Sequence, residues 1–202
     1  MQKSVFNPAS HDENLDAKIV VALERISEAF RVSLWNQSKE VGLSPIQIQI
    51  LLFLSFHDSE QCKVTYLAKE FNLTKATVSE AVRTLLKKEM VEKKDDLVDT
   101  RSYSLKLTSK GKRVVKKTQF FSDNILNAVQ TLRENDRLQL YHSLLNVISH
   151  LQKTDVIQLQ RMCFSCRFYK SNHLGRAHYC QFLKSPLMDD ELKIDCPEYE
   201  AK

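Results

Sequence analysis

Glycine and proline are scarce in this chain, at three and four among 202 residues. So few backbone breakers leave little material for many tight turns, and long helices are the expected alternative. No apolar run approaches the roughly 18 residues that a membrane-spanning helix needs. The start, MQKSVFNPASHDEN, has no basic segment followed by an apolar stretch, so no secretory signal is expected. A cytoplasmic protein follows as the expectation, and no membrane partner. Thiols stay reduced in that compartment, which counts against structural disulfides. Also missing are a phosphate-binding glycine loop, a nucleophile elbow and a convincing helical pair of histidines. No set of catalytic roles can be assembled, and no enzyme activity is expected.

What is present suits a protein able to bury a core: 43% of residues are hydrophobic and 27% charged. The charge is unevenly placed. Between Gln61 and Phe120 there are 15 Lys and Arg against 7 Asp and Glu, a balance of +8, whereas the whole chain carries +5. The flanks are therefore slightly acidic. A basic middle in such a scaffold suggests a module that binds a polyanion; a lysine-rich solvated surface is the alternative.

The periodicity predicts a helix over residues 10–40. Ser10 and Glu13 have capping-box spacing, and Leu15, Ile19, Leu23, Ile26, Phe30 and Leu34 form one apolar stripe that Gly42 can end. Ser44, Pro45 and Gln47 open a second helix, whose IQIQILLFLSFH segment is apolar almost all round and is expected at the centre. A short helix, Val64 to Phe71, breaks at Asn72-Leu73 before TKATVSEAVRTLLKKEMV, capped by Thr74. There Val78, Val82, Leu85 and Leu86 face inward, leaving Lys75, Thr77, Ser79, Glu80, Arg83 and Lys87 outward. This is helix-turn-helix patterning.

The period then changes. Tyr103, Leu105 and Leu107 alternate as in a half-buried strand, Val91 to Lys94 can pair with them, and the Asp95-to-Ser102 stretch becomes a hairpin tip. A β-wing directly after a candidate recognition helix gives a winged helix. Thr108-Ser109-Lys110-Gly111 begins a helix running past Phe121 toward Leu132, and a last helix spans roughly Asp136 to Gln160. Leu138, Tyr141, Leu145, Ile148 and Leu151 share one face of it. The first helix and these last two carry more apolar surface than one winged-helix core needs, so a symmetric homodimer is expected; packing within the chain is the alternative.

LSPIQIQIL (Leu43 to Leu51), LTKATVSEAVRTLLKKEMVEK (Leu73 to Lys93) and DTRSYSLKLTSKG (Asp99 to Gly111), in that order, resemble the MarR family of bacterial transcription regulators. The last segment is similar to the family's wing signature, an Asp and Arg two apart followed by a strand and Leu-Thr-x-x-Gly. The resemblance covers roughly residues 12–160. It implies a mainly α fold with a small β-wing: a winged helix-turn-helix core at about 44–108, with dimerisation helices at about 10–41 and 109–160. It implies a homodimer and a double-stranded, pseudo-palindromic DNA operator. Thr74, Lys75, Thr77, Ser79, Glu80 and Arg83 fall on or near the recognition surface. Arg101 falls at the wing tip, entering a minor groove, with Asp99 holding the wing's shape. Lys93, Lys94, Lys110 and Lys112 would contact phosphates or serve only solubility. Repression is the expected mode, with release by a small-molecule effector or by thiol oxidation.

Beyond residue 160 the resemblance stops, and residues 161–202 form a cysteine-rich tail. Cys163-x2-Cys166 is followed after thirteen residues by Cys180 and after fifteen more by Cys196. A C-x2-C pair chelates one cation from a tight turn, and two later thiolates complete a tetrahedron. The second half lacks its own C-x2-C, a departure from the fullest zinc pattern. Zinc is the expected occupant. An iron–sulfur cluster is the alternative, helped by Cys196-Pro197, and would make the protein a sensor of oxygen, iron or nitric oxide. Metal-free thiols that switch by oxidation, on a protein-interaction module, are a further alternative. The C-x2-C pair lacks the βαβ context of a dithiol redox centre. Phe164, Phe168, Tyr169, Tyr179, Phe182 and Tyr199 are available to cover the site; His173 and His178 are expected at the surface or behind the ligands. Cys62 reads as a lone thiol.

Overall fold

A computed structural model describes residues 4–8, 14–95, 103–158, 161–173 and 175–202. Helix α1 (Leu15–Val41) is capped by Asn14, whose side chain accepts from the Ala17 N–H. The Ser10–Glu13 box expected ahead of it lies outside the described residues. Gly42 ends α1 at φ 63°, where its N–H returns to the Ser38 carbonyl, a left-handed cap that suits glycine. Helix α2 (Pro45–Phe56) starts as expected, with the Ser44 N–H donating to the Gln47 side chain at 3.0 Å. Its Ile48, Ile50 and Leu51 are fully buried, each contributing on the order of 1.5–3 kcal/mol through removal from water.

Helices α3 (Val64–Glu70) and α4 (Lys75–Lys87) pack on α2 around this core. The break between them is made by Asn72 at φ 53°, a left-handed conformation that asparagine tolerates better than most residues. Strands β1 (Val91–Asp95) and β2 (Tyr103–Leu107) pair antiparallel with Val91 opposite Leu107 and Asp95 opposite Tyr103. Residues 96–102, and with them Asp99 and Arg101, lie outside the described residues.

Two helix boundaries differ from expectation. The helix beginning at Ser109 does not run through to Leu132 but divides into α5 (Ser109–Thr118) and α6 (Asp123–Gln130). The Thr118 hydroxyl donates back to the Val114 carbonyl, a contact that loosens helix propagation, and Asp123 favours a fresh N-terminus. Helix α7 (Glu134–Lys153) stops well short of Gln160. Thr154 donates its hydroxyl to the His150 carbonyl and Asp155 sits at φ 57°, so the chain turns away there.

The tail folds as a small sheet, which the cysteine pattern alone did not foretell. Strands β3 (Tyr169–His173), β4 (Arg176–Cys180) and β5 (Ser185–Leu187) form an antiparallel β3-β4-β5 order, flanked by 3-10 turns at Cys163–Ser165 and Asp189–Glu191. Its own core is slight: Leu145 of α7, Met162, Cys163 and Leu192. By contrast α1 leaves Leu15, Ile19, Ile26, Phe30 and Trp35 exposed, and α6 and α7 leave Leu126, Leu138, Leu140 and Val147 exposed. Among the described residues no helix is long and apolar enough to cross a membrane.

Candidate nucleic-acid interface and cysteine centre

Helix α4 turns Val78, Ala81, Val82 and Leu85 into the core and leaves Lys75, Thr77, Glu80, Arg83 and Lys87 exposed, with Ser79 half-buried. Leu86 is half-buried rather than fully inward. Thr74 caps the helix by accepting from the Thr77 N–H, and the two hydroxyls meet at 2.8 Å. This fixes both hydroxyls at the helix start, where polar groups are best placed to meet a phosphate or a base edge. Arg83 pairs one turn back with Glu80, both exposed. Such a pair is worth little in water and is readily exchanged for another anion.

The wing rises from the end of α4. Lys93 and Lys94 of β1 are exposed, with Lys93 Nζ standing 4.2 Å over the Tyr103 ring. Lys110 and Lys112 are exposed on the first turn of α5. Thr108 locks the wing base to α4: its hydroxyl donates to the Glu89 carbonyl at 2.7 Å and accepts from the Gly111 N–H at 3.1 Å. Lys88, which the sequence reading passed over, donates to the Gly42 carbonyl at 2.6 Å and ties α4 to the end of α1.

Cys163, Cys166, Cys180 and Cys196 line one cavity of about 40 Å³. Phe168, Tyr169 and Phe182 cover it, together with Leu183 and Leu187. Of the other expected aromatics, Phe164 packs edge-on to Tyr169, Tyr179 lies against His173, and Tyr199 lines a separate groove. Cys163 and Cys166 are buried at either end of a 3-10 turn, where the Cys166 N–H donates to the Cys163 carbonyl at 3.0 Å. The Lys193 N–H donates to Cys163 Sγ at 3.2 Å. Burial pushes the Cys163 thiol up, the Lys193 N–H pulls it down, and Cys196, Cys166 and Cys180 push it up again. Among the described residues, no group of three or more His, Cys, Asp and Glu side chains has the arrangement that holds a metal ion. The four cysteines share a cavity without that arrangement. His178 stands behind them, bonded to the Tyr169 hydroxyl at 2.6 Å and to Asp189 at 3.3 Å. Cys62 lies apart in the winged-helix core, only 2% exposed, with burial and then Asp58 pushing its thiol up to about 11.

The most heavily bonded side chain near the tail was missed by the sequence reading. Arg161, 4% exposed, donates through Nε to Asp195 at 2.6 Å and through Nη1 to Glu70 at 2.5 Å and the Tyr66 hydroxyl at 3.0 Å. Its Nη2 lies 3.1 Å from His57 Nε2, which is itself 3.0 Å from Asp195. Burial disfavours its charge, but the bonds from Asp195, Glu70 and Tyr66 outweigh that and hold the guanidinium strongly protonated. An arginine two positions before Cys163 carries no sequence signal of this role, because Tyr66 and Glu70 of α3 and His57 at the end of α2 lie about a hundred residues away and Asp195 lies 34 away.

A MarR-family model matches residues 41–102, the segment from the end of α1 into the wing. The transcriptional regulator AdcR of Streptococcus pyogenes serotype M6 is 31% identical over 93 residues, covering 46% of this chain and 61% of that protein. The chain thus spans less than two thirds of that relative's length. A MepR–DNA complex from S. aureus superposes with a TM-score of 0.58 at 24% identity, covering 65% of this chain and 97% of that one. A MarR transcriptional regulator from Methanosarcina mazei gives 0.55 at 20% identity, covering 66% and 98%. The fold is therefore the MarR-like winged helix, and about a third of this chain lies outside each of the two structural superpositions.

Proposed function

We propose that this MarR-type winged-helix chain is a homodimeric, sequence-specific DNA-binding regulator of transcription, by default a repressor, and not an enzyme. The observation that carries the reading is the exposed Lys75, Thr77 and Arg83 face of α4, set by a buried core and followed at once by a wing that exposes Lys93 and Lys94. A helix of this kind enters a major groove, where Arg reads guanine and hydroxyls accept several base edges. A second copy places two such helices on half-sites about one turn of DNA apart. The apolar side chains exposed on α1, α6 and α7 are what that second copy would cover. The test is in vitro selection from random duplexes with the full-length protein, followed by gel shifts. A pseudo-palindromic consensus bound in preference to random duplex supports the reading; equal binding to both sinks it. If binding survives loss of both Arg83 and Arg101, the winged helix is a scaffold for protein contacts instead.

The tail, in the same reading, is a four-thiolate metal site with Cys163, Cys166, Cys180 and Cys196 as ligands. Its support is the shared, aromatic-covered cavity and the chemistry of the donors, since four thiolates in a reduced compartment suit zinc or iron. Zinc is favoured because it is the usual occupant of a closed four-thiolate site. Anaerobic purification, a visible spectrum, and zinc, iron and sulfide assays decide the matter. Colourless protein with one zinc per chain supports this reading; brown protein with iron and sulfide replaces it with a cluster-based sensor.

A further inference from the structure

Arg161 stands where three parts of the molecule meet. Toward the helix-turn-helix it makes a two-pronged contact with Glu70, the last residue of α3, and bonds Tyr66 one turn earlier. Helix α3 packs directly against α4. Toward the tail it bonds Asp195. Toward the helical base, the tail is anchored by the Tyr141 hydroxyl, which donates to the Leu192 carbonyl at 2.5 Å, and by the packing of Leu145, Met162 and Leu192. A second tie joins the turn of the helix-turn-helix to the segment after α7, with Asn72 Nδ2 donating to the Val156 carbonyl at 3.2 Å.

The backbone places this bridge against two of the four cysteines. The Cys196 N–H donates to the Arg161 carbonyl at 2.9 Å, and the Cys163 N–H to the Lys193 carbonyl at 3.0 Å. The run 161–163 therefore lies alongside the run 193–196. Each run carries one arm of the bridge, Arg161 or Asp195, and one cysteine of the cavity. Without a cross-link these two runs are joined by a few hydrogen bonds and a small apolar cluster. An ion held by Cys163 and Cys196 would lock one against the other and fix Asp195 on Arg161.

We propose that a metal ion bound at the four cysteines tightens DNA binding, and that Arg161 is the positioning residue that carries the constraint to α3 and the recognition helix. The inference rests on the four-thiolate and DNA-binding readings above. A buried arginine shared by two carboxylates transmits displacement well, because losing either partner leaves the desolvated guanidinium with only part of its counter-charge. Once the tail is fixed, α3 is held relative to α7, and the ordering of α4 is no longer a cost of meeting DNA. Couplings of this kind between two sites change affinity by about five- to 150-fold.

The test uses the full-length, reduced protein without oxygen. Cobalt(II) is titrated while its thiolate charge-transfer and d–d bands are recorded, and affinity for the selected duplex is followed by fluorescence anisotropy. Wild type should take up one cobalt per chain and bind DNA at least about fivefold more tightly with it. Glu70→Gln, which leaves every cysteine intact, should bind cobalt equally well but lose that gain, to within about twofold; Tyr66→Phe should lose part of it. If Glu70→Gln does not fold, the Tyr66→Phe response decides. Cobalt bound at full stoichiometry with unchanged or weaker DNA affinity overturns the coupling alone, as does a Glu70→Gln response equal to wild type. No thiolate–cobalt spectrum overturns the metal reading and the coupling with it. Cobalt bound by a protein that selects no duplex overturns the DNA-binding reading instead.

Discussion

Gly111 lies directly under the Met90 carbonyl, so close that a Cβ on residue 111 would come within 2.1 Å of the oxygen. The carbonyl cannot swing aside, because it also accepts from the Thr108 N–H at 3.1 Å. Glycine here serves close approach: it lets the first turn of α5 seat on the base of the wing. Gly111→Ala should therefore destabilise the fold by about 1–3 kcal/mol through overpacking. Urea unfolding should show a lower midpoint with an unchanged slope. A midpoint equal to wild type would mean that the wing base is softer than described.

Arg83 separates DNA binding from stability. Its ion pair with Glu80 is exposed on both sides, so Arg83→Ala should change folding stability by less than about 0.5 kcal/mol. The same change should weaken binding to the selected duplex by about 1–3 kcal/mol and relax preference at one position of each half-site. Thermal melts and anisotropy on one preparation check both halves. A destabilised variant would assign Arg83 to the fold instead.

Arg101 belongs to residues 96–102, outside the described structure, and its expected role comes from the family resemblance. Removing an arginine from a narrow minor groove costs affinity with little effect on the dimer. Arg101→Ala should lower operator affinity and flatten its salt dependence by about one counterion, with sedimentation unchanged. An unaltered salt slope would take Arg101 out of the interface.

The helix-turn-helix was legible because its determinants are local. Thr74, Gln47 and Gly42 cap through neighbours within a few residues, and the inward set Val78, Val82 and Leu85 follows helical period. The wing strands were readable from the alternation of Tyr103, Leu105 and Leu107. Less legible was whatever depends on distant partners. The break after Thr118 turns on one side-chain hydroxyl returning to Val114, in a stretch whose period continues unbroken. The tail's three-stranded sheet hides because Tyr169–His173 and Arg176–Cys180 are half polar and lack a clear apolar alternation. The Arg161 bridge was invisible because Glu70, Tyr66 and His57 each look like ordinary residues of their own helix or its cap.

Cys62 gives a pH prediction of known sign. Its thiol is raised from an ordinary value of 9.0 to about 11, chiefly by burial. Between those values the unfolded chain gives up its proton while the folded one keeps it. The stabilising contribution is thus complete below about pH 9 and declines as pH rises toward about 11. At pH 8 about one thiol in a thousand is ionised, so iodoacetamide should label Cys62 very slowly in the folded state. Labelling should speed up about tenfold per pH unit, read by mass spectrometry of the peptide. Rapid labelling at pH 8 would show that the loop after α2 opens to solvent.

The exposed apolar stripe on α1 carries the last prediction. Ile19, Ile26 and Phe30 recur at helical spacing, and all three are more than a third exposed on the single chain. A solvated helix has no use for such a stripe, whereas a partner's helices would bury it. Sedimentation should give a particle of twice the 23.5 kDa chain mass at micromolar concentration. Ile26→Asp should shift it toward monomer, because an unpaired buried carboxylate would be placed in the interface. Operator affinity should fall in parallel, since one recognition helix then engages one half-site and the second contact is no longer held in place. Circular dichroism on the same sample separates dissociation from unfolding. A folded wild-type monomer that still prefers its palindromic site would overturn the dimer reading and leave the stripe for a different partner.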